Sequence, residues 1–177
     1  MQLDFCYIDS PLGKLIAGAD SSGICFLEFI DGSDLTIAEL SLRLKKDPLD
    51  IHFNISNLLN QLILELNEYF AGLRKSFTVP LSFYGTDFQK KVWNELLKIP
   101  FGTTSSYQQQ AIRLGNLAAI RAVAHANGTN KLAILVPCHR VIGSDGNLTG
   151  YAGGLWRKKF LLELEQSNSK QLALFSS

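Results

Sequence analysis

The chain opens with three short apolar runs, LDFCYI, KLIAGA and GICFLEF, separated by the turn sequences SPLG and DSSG. Apolar runs of this length, punctuated by Gly, Pro, Ser and Asp, read as strands. The spacing predicts a three-stranded antiparallel meander over the first thirty residues. Residues 34–46 fit a helix. Between 57 and 70, Leu58, Leu59, Leu62, Ile63, Leu66, Tyr69 and Phe70 recur at helical spacing, and Gly72 with the basic pair Arg74–Lys75 suits the helix end. FTVPLSF (77–83) has an extended pattern, and Pro80 confines it to an edge strand or a linker.

The pattern then becomes helical. Thr86 and Gln89 form a capping box, and Phe88, Val92, Trp93, Leu96 and Leu97 supply the apolar face of a helix that Pro100 and Gly102 stop. Tyr107 to Leu114 fits a short helix, Gly115 a turn, and Leu117 to Ala126 a second helix, which together describe a helix-turn-helix. LAILV (132–136) reads as a buried strand running into Pro137–Cys138–His139–Arg140. A last helix over 155–165 turns Leu155, Leu161, Leu162 and Leu164 inward, and no internal repeat is visible. The expected organisation is an α/β unit over 1–83, a helical unit over 86–165 and a flexible tail over 166–177.

Composition narrows the class. A chain of 177 residues that is 46% hydrophobic and 19% charged can bury a core without disulfides or metal, which excludes a disordered or fibrous protein. No apolar run approaches the ~20 residues of a membrane span, and MQLDFCYIDS lacks the basic flank and apolar core of a secretion signal. Three cysteines, an odd and sparse count, fit a reducing cytoplasm better than a disulfide framework. The net charge of +1 hides a division: residues 1–85 carry six bases against eleven acids, and residues 86–159 ten bases against three. A basic half fits a polyanion partner, and an ordinary solvated surface fits it as well.

Cys138 follows an apolar segment and precedes a histidine and an arginine. A free thiol near pKa 8.5 is only a few per cent thiolate at neutral pH, and a neighbouring cation or imidazole can make it a strong nucleophile. Neighbours in an extended segment point opposite ways, so His139 needs a turn or a bridging water to serve Cys138.

The block LVPCHRVIGSDGNLTGYAGGLWRKKFLLELE (135–165), with IPFGTTSSYQQQA (99–111) and IRAVAHANGTN (120–130) upstream, resembles the O6-alkylguanine-DNA alkyltransferases, the methylated-DNA–protein-cysteine methyltransferases. Pro-Cys-His-Arg-Val is that family's specific signature. The turn Ser10–Pro11–Leu12–Gly13–Lys14 resembles the one that often opens its N-terminal domain, although the likeness over 1–85 is thin. The resemblance implies an α+β fold: a small N-terminal α/β domain with a ribonuclease-H-like sheet, then a mainly helical domain carrying the helix-turn-helix and the cysteine. It implies a monomeric, cytoplasmic DNA-repair transferase with no cofactor and no metal. Such a protein binds double-stranded DNA, flips out an alkylated guanine (and takes O4-alkylthymine), and moves the alkyl group irreversibly to its cysteine.

The resemblance also implies residue roles. Cys138 is the alkyl acceptor, His139 the base acting through a water, and Glu165 the carboxylate that orients His139. Tyr107 is the phenol that assists the departing guanine, and Asn130 braces the link from recognition helix to active-site segment. Val141, Tyr151, Ala152, Gly153 and Gly154 wall the alkyl pocket. Arg121 fills the gap in the duplex, with Ser106, Ala118, Ala119 and Ala122 beside the DNA minor groove. Arg140 fits a structural ion pair. Non-catalytic relatives that only bind alkylated DNA replace the cysteine, so Cys138 argues against that reading.

Three positions depart from the family pattern: Ala124 where Gly is usual, Lys131 where Pro is usual, and Gln110 where an aliphatic residue is common. Cys6, Cys25, His52 and His125 match no common zinc spacing; the two cysteines read as small hydrophobes on strands. The terminal Gln171–Leu172–Ala173–Leu174–Phe175 resembles the Gln-Leu-x-Leu-Phe peptide with which bacterial repair and replication proteins dock onto the sliding clamp, with Gln171, Leu172, Leu174 and Phe175 as the anchors. Continuation of the last helix, packing these residues on the domain, is the alternative.

Overall fold

The computed structural model describes the backbone of residues 2–175 and the side chains of residues 2–168. The chain divides into two units, Met1–Tyr84 and Gly85–Ser177.

In the first unit, β1 (Leu3–Ser10), β2 (Gly13–Ala19) and β3 (Ile24–Phe29) form the antiparallel meander that the turn sequences predict. The sheet has a fourth strand as well. β4 (Ile51–Phe53) pairs parallel to β1, giving the order β3-β2-β1-β4 and a mixed sheet. Three residues with one buried side chain carry too little pattern to announce a strand. Between β3 and β4 runs α1 (Ile37–Leu44), opened by a Thr36–Glu39 capping box. After β4, α2 (Asn57–Phe70) buries Leu59, Leu62, Leu66 and Tyr69. The Pro80 segment is extended and lies along β3: Ile24 donates to Pro80 O and Ser82 donates to Ile24 O. Cys6 and Cys25 are both buried, and burial pushes their thiols up to about 11 and about 12, which makes them inert at neutral pH.

In the second unit, α3 (Asp87–Leu96) starts at the Thr86–Gln89 capping box and buries Val92, Trp93 and Leu96. β5 (Ser105–Ser106), α4 (Tyr107–Arg113) and α5 (Ile120–Gly128) follow, with a 3₁₀ turn over Leu117–Ala119 before α5. Buried amides join α4 to α5: Asn127 Nδ2 donates to Gln110 Oε1 at 2.8 Å, and Gln110 Nε2 donates to Val92 O at 3.2 Å. The polar residue at 110 therefore has a polar partner in the core, as burial requires. β6 (Val141–Ile142) pairs parallel with β5, and α6 (Leu155–Phe175) closes the unit.

Two expectations need correction here. Residues 132–136 form turns rather than a strand, with Ile134 buried at φ 70°. The left-handed region is costly for a β-branched residue, so the surrounding bonds must impose it. The last helix does not stop at 165: α6 continues to Phe175, so residues 166–175 have helical backbone. The side chains of Gln171, Leu172, Leu174 and Phe175 lie outside the described residues.

Candidate active site

Cys138 opens a 3₁₀ turn, Cys138–Arg140, directly after Pro137. The turn replaces the alternation of an extended strand, so Cys138 and His139 need not point apart. Cys138 is partly buried and His139 fully buried. Asn130, at the end of α5, braces the approach. Its Nδ2 donates to Val136 O at 2.8 Å and to Cys138 Sγ at 3.3 Å, and its Oδ1 accepts from Leu132 N at 2.9 Å. These bonds form with Lys131 in place of the usual proline, and they hold the segment that contains the strained Ile134.

His139 Nε2 stands 2.7 Å from Glu165 Oε1, and both side chains are fully buried. Arg140 donates Nε to Glu165 Oε2 at 2.9 Å and Nη2 to Oε1 at 3.0 Å; its Nη1 donates to Ile99 O at 2.7 Å. Gly102 N adds a fourth donor to Glu165, at 3.1 Å from Oε2. Gly102 has φ 75°, which is why the Pro-Phe-Gly turn carries glycine there. Burial by itself raises the Glu165 carboxyl. The bonds and charges of His139 and Arg140 outweigh it and bring the group down to about 2.

Burial lowers the His139 imidazole below its usual value, with Glu165 opposing. A neutral imidazole facing a carboxylate carries its proton on Nε2. That leaves the Nδ1 lone pair as the free base, and Nδ1 is buried without a hydrogen-bond partner among the described residues. Burial raises the Cys138 thiol, while the Asn130 hydrogen bond and the Lys158 charge lower it. The resting sulfur is therefore a thiol that needs a base, and the base stands one residue away.

The β5–β6 pairing sets Ser105 opposite Val141 and Ser106 opposite Ile142, and Tyr107, the first residue of α4, follows directly. Tyr107 Oη donates to Thr149 O at 3.1 Å, and burial raises the phenol, so it stays a donor. Tyr151 Oη is buried with no partner among the described residues, and burial, with the charge of Cys138 adding to it, raises its phenol well above the usual value. Gly154, at φ 91°, turns the chain into α6; Gly153 O accepts from Arg157 Nη1 at 2.9 Å, while Ala152 is exposed.

The expected DNA residues form a separate, outward set. Arg121 and Ala122 are exposed at the start of α5, Ala118 is exposed and Ala119 half-buried in the preceding 3₁₀ turn. Ser106 caps α4, accepting from Gln109 N at 3.0 Å. His125 is exposed on α5. No group of three metal-ligating side chains occurs among the described residues, and no helix there is long and apolar enough to cross a membrane.

Sequence reasoning gave Gly102 only the part of a helix stop and passed over Lys158. Lys158 is fully buried. Its Nζ donates to Val141 O at 2.6 Å, Thr149 O at 2.8 Å and Gly150 O at 3.1 Å. The available signal was position: Lys158, Leu161, Leu162 and Glu165 fall on one helical stripe, and a lysine in an apolar stripe is unusual.

Comparison with known proteins agrees across both units. Residues 87–167 match the 6-O-methylguanine DNA methyltransferase DNA-binding domain, and residues 5–83 the ribonuclease-like domain of the same family. A methylated-DNA–protein-cysteine methyltransferase of Methanosarcina barkeri is 42% identical over 161 residues, covering 91% of this chain and 96% of that one. Its Mycobacterium bovis counterpart is 43% identical over 169 residues, covering 95% and 96%. Among solved structures, Mycobacterium tuberculosis OGT in complex with DNA superposes with a TM-score of 0.80 at 41% identity, covering 93% of this chain and 94% of that one. The O6-methylguanine-DNA methyltransferase of Pyrococcus kodakaraensis superposes at 0.64 with 28% identity, covering 93% and 99%. With both of its units matched and its relatives covered almost end to end, the chain belongs to the methylated-DNA–protein-cysteine methyltransferase family.

Proposed function

We propose that this protein repairs DNA by moving the alkyl group of O6-alkylguanine to Cys138 in one irreversible step. The observation that carries this reading is the buried line Cys138–Asn130 and His139–Glu165–Arg140, which pairs a nucleophile with a neutral, oriented base. His139 Nδ1 takes the Cys138 proton through a water. The sulfur attacks the alkyl carbon and an S–C bond forms as the C–O6 bond breaks. The electron pair leaves with guanine, and the Tyr107 hydroxyl donates its hydrogen bond to the ring nitrogen as negative charge develops there. Glu165, held ionised by four donors, stabilises the imidazolium and does not itself accept the proton.

The product is a thioether with no leaving group that water can displace, so each molecule acts once. This chemistry needs no metal and no soluble cofactor. O4-alkylthymine offers the same alkyl ether carbon and is a substrate on the same grounds. A hydrolase would turn over repeatedly and would need an oxyanion hole.

The alkyl carbon is out of reach inside a duplex, so the nucleotide is flipped. α5 and the 3₁₀ turn before it enter the minor groove with the small residues Ala118, Ala119 and Ala122 against the backbone, and Arg121 fills the vacated space. The protein acts as a monomer in the cytoplasm, with affinity that falls with salt and depends weakly on sequence. Mass spectrometry after incubation with a methylated duplex tests the reading. One stable methyl on Cys138, absent in Cys138→Ala, is expected; methyl transfer by Cys138→Ala refutes the assignment.

The terminal Gln171, Leu172, Leu174 and Phe175 form a docking peptide for a bacterial sliding clamp on their sequence pattern. Deleting 171–177 then removes clamp binding in calorimetry and leaves transfer on short duplexes unchanged. Absence of clamp binding by the full-length chain at tens of micromolar, or unfolding on deletion, makes the tail structural.

A further inference from the structure

The buried side of α5 is made of Val123, Ala126 and Asn127, while Arg121, Ala122 and His125 are exposed on the other side. Val123 and Ala126 offer only apolar carbon, which packs without a fixed direction. Asn127 is different. Its Nδ2 donates to Gln110 Oε1 on α4 at 2.8 Å, and Gln110 Nε2 donates back to Asn127 Oδ1 at 3.3 Å. The same Nε2 donates to Val92 O on α3 at 3.2 Å. Gln110 is fully buried and Asn127 nearly so. Two side chains thus tie three helices together.

Stability alone gives no reason for amides here. Apolar residues at 110 and 127 would fill similar space and leave no polar atom to satisfy. What the amide pair adds is direction. A buried donor or acceptor that loses its partner is costly, so a rotation or slide of α5 is opposed far more strongly than between apolar surfaces. A single buried asparagine fixes the register of coiled helices for the same reason.

Register matters because α5 serves two places at once. Just beyond its C-terminal end, Asn130 donates to Cys138 Sγ at 3.3 Å. That end is fastened further: Trp93 Nε1 donates to Ala126 O at 2.8 Å, and Gln89 Nε2 donates to Thr129 Oγ1 at 2.9 Å. All of these bonds reach α5 at Ala126 or later. At the other end, neither Asn116 ahead of the 3₁₀ turn nor Ala119 makes a side-chain cap. Arg121 lies on that end, about 9 Å along the helix axis from Asn127 at 1.5 Å per residue. A small rotation at Asn127 therefore redirects the arginine.

We infer that Gln110 and Asn127 are positioning residues for repair in duplex DNA: their amide pair fixes the rotation of α5 on α4 and α3, and through it the direction in which Arg121 leaves the helix relative to Cys138. The inference rests on the alkyl-transfer and base-flipping reading.

The test uses the full-length chain as wild type, Gln110→Met and Gln110→Met/Asn127→Leu, with Arg121→Ala added to the wild type and to the double variant. Urea unfolding, single-turnover transfer from a methylated duplex at saturating protein, and transfer from the free O6-methylguanine base are measured on each. Gln110→Met strands the Asn127 amide and is expected to unfold at lower urea. The double variant removes both amides and is expected to recover the wild-type midpoint. Its transfer from the free base is expected within two-fold of wild type, and its transfer from the duplex at least ten-fold slower. Recovered stability without recovered duplex repair separates positioning from packing. Adding Arg121→Ala to the double variant is expected to slow duplex transfer less than three-fold further, because the arginine is already misdirected. Three results overturn the inference: duplex transfer by the double variant within three-fold of wild type, equal losses on both substrates, or an Arg121→Ala loss as large in the double variant as in wild type. If the double variant does not fold, Gln110→Met decides by its ratio of duplex to free-base transfer. A ten-fold fall in that ratio supports the inference, and an unchanged ratio overturns it. A wild type that transfers no methyl to Cys138, or whose duplex repair Arg121→Ala leaves intact, removes the underlying reading and the inference with it.

Discussion

His139 Nε2 and Glu165 Oε1 meet at 2.7 Å with both side chains fully buried, and the same carboxylate takes two further hydrogen bonds from Arg140. A carboxylate in that setting is an orienting charge rather than a proton acceptor, because four donors favour its ionised form over protonation.

Replacing Glu165 by Gln leaves the shape and removes the charge. The buried Arg140 guanidinium then has no counter-ion, an arrangement that typically costs about 3–5 kcal/mol when a buried pair is broken. The amide also no longer dictates which nitrogen of His139 holds the proton. Transfer is expected to fall by two or more orders of magnitude, and urea unfolding of Glu165→Gln is expected to shift to markedly lower concentration. Wild-type stability with wild-type rate in that variant removes Glu165 from the site.

Acid is expected to destabilise the second unit in two stages. Both groups have folded-state pKa values below their ordinary ones, so the unfolded chain binds protons first and stability falls as pH falls. For His139 the loss begins below its ordinary value of 6.5. For Glu165 it runs from the ordinary 4.5 down to about 2 and amounts to roughly 3 kcal/mol. Melting temperature against pH, in wild type and Glu165→Gln, checks this: the variant should lose the lower stage. A wild-type profile flat from pH 7 to 3 contradicts it.

Asn130→Ala removes bonds to Leu132, Val136 and Cys138 together. At about 1 kcal/mol for each net hydrogen bond, and more for the buried partners left unpaired, the expected loss is about 2–3 kcal/mol. The thiol should titrate higher as well, since Sγ loses its donor. Chemical denaturation and iodoacetamide titration report the two effects separately, and a variant that shifts neither refutes the bracing role.

Arg121 is exposed and far from needing any partner for folding. Arg121→Ala is expected to leave stability unchanged, to slow repair in duplex by ten-fold or more, and to leave transfer from the free base near wild type. Equal losses on the two substrates remove it from flipping.

Much of this protein was legible in its residues because the signals are local. The 57–70 helix, the Thr86 cap and the first three strands depend on periodicity and turn chemistry, which neighbours in the chain determine. Cys138 and His139 stood out through a motif, and Glu165 only through the resemblance to the family. What the chain could not reveal depends on residues brought together from far apart. β4 exists because β1 offers it an edge, not because three residues favour a strand. Residues 132–136 look like a strand and are bent instead, because Asn130 takes up Val136 O and Leu132 N. Gln110 is tolerable only because Asn127 faces it. Lys158 reads as one of three basic residues in a row, and only the folded chain shows that its charge is buried against three carbonyls rather than solvated. Periodicity says which side of a helix is inward; it does not say what waits there, and for a buried charge the partner decides whether the position costs stability or supports chemistry.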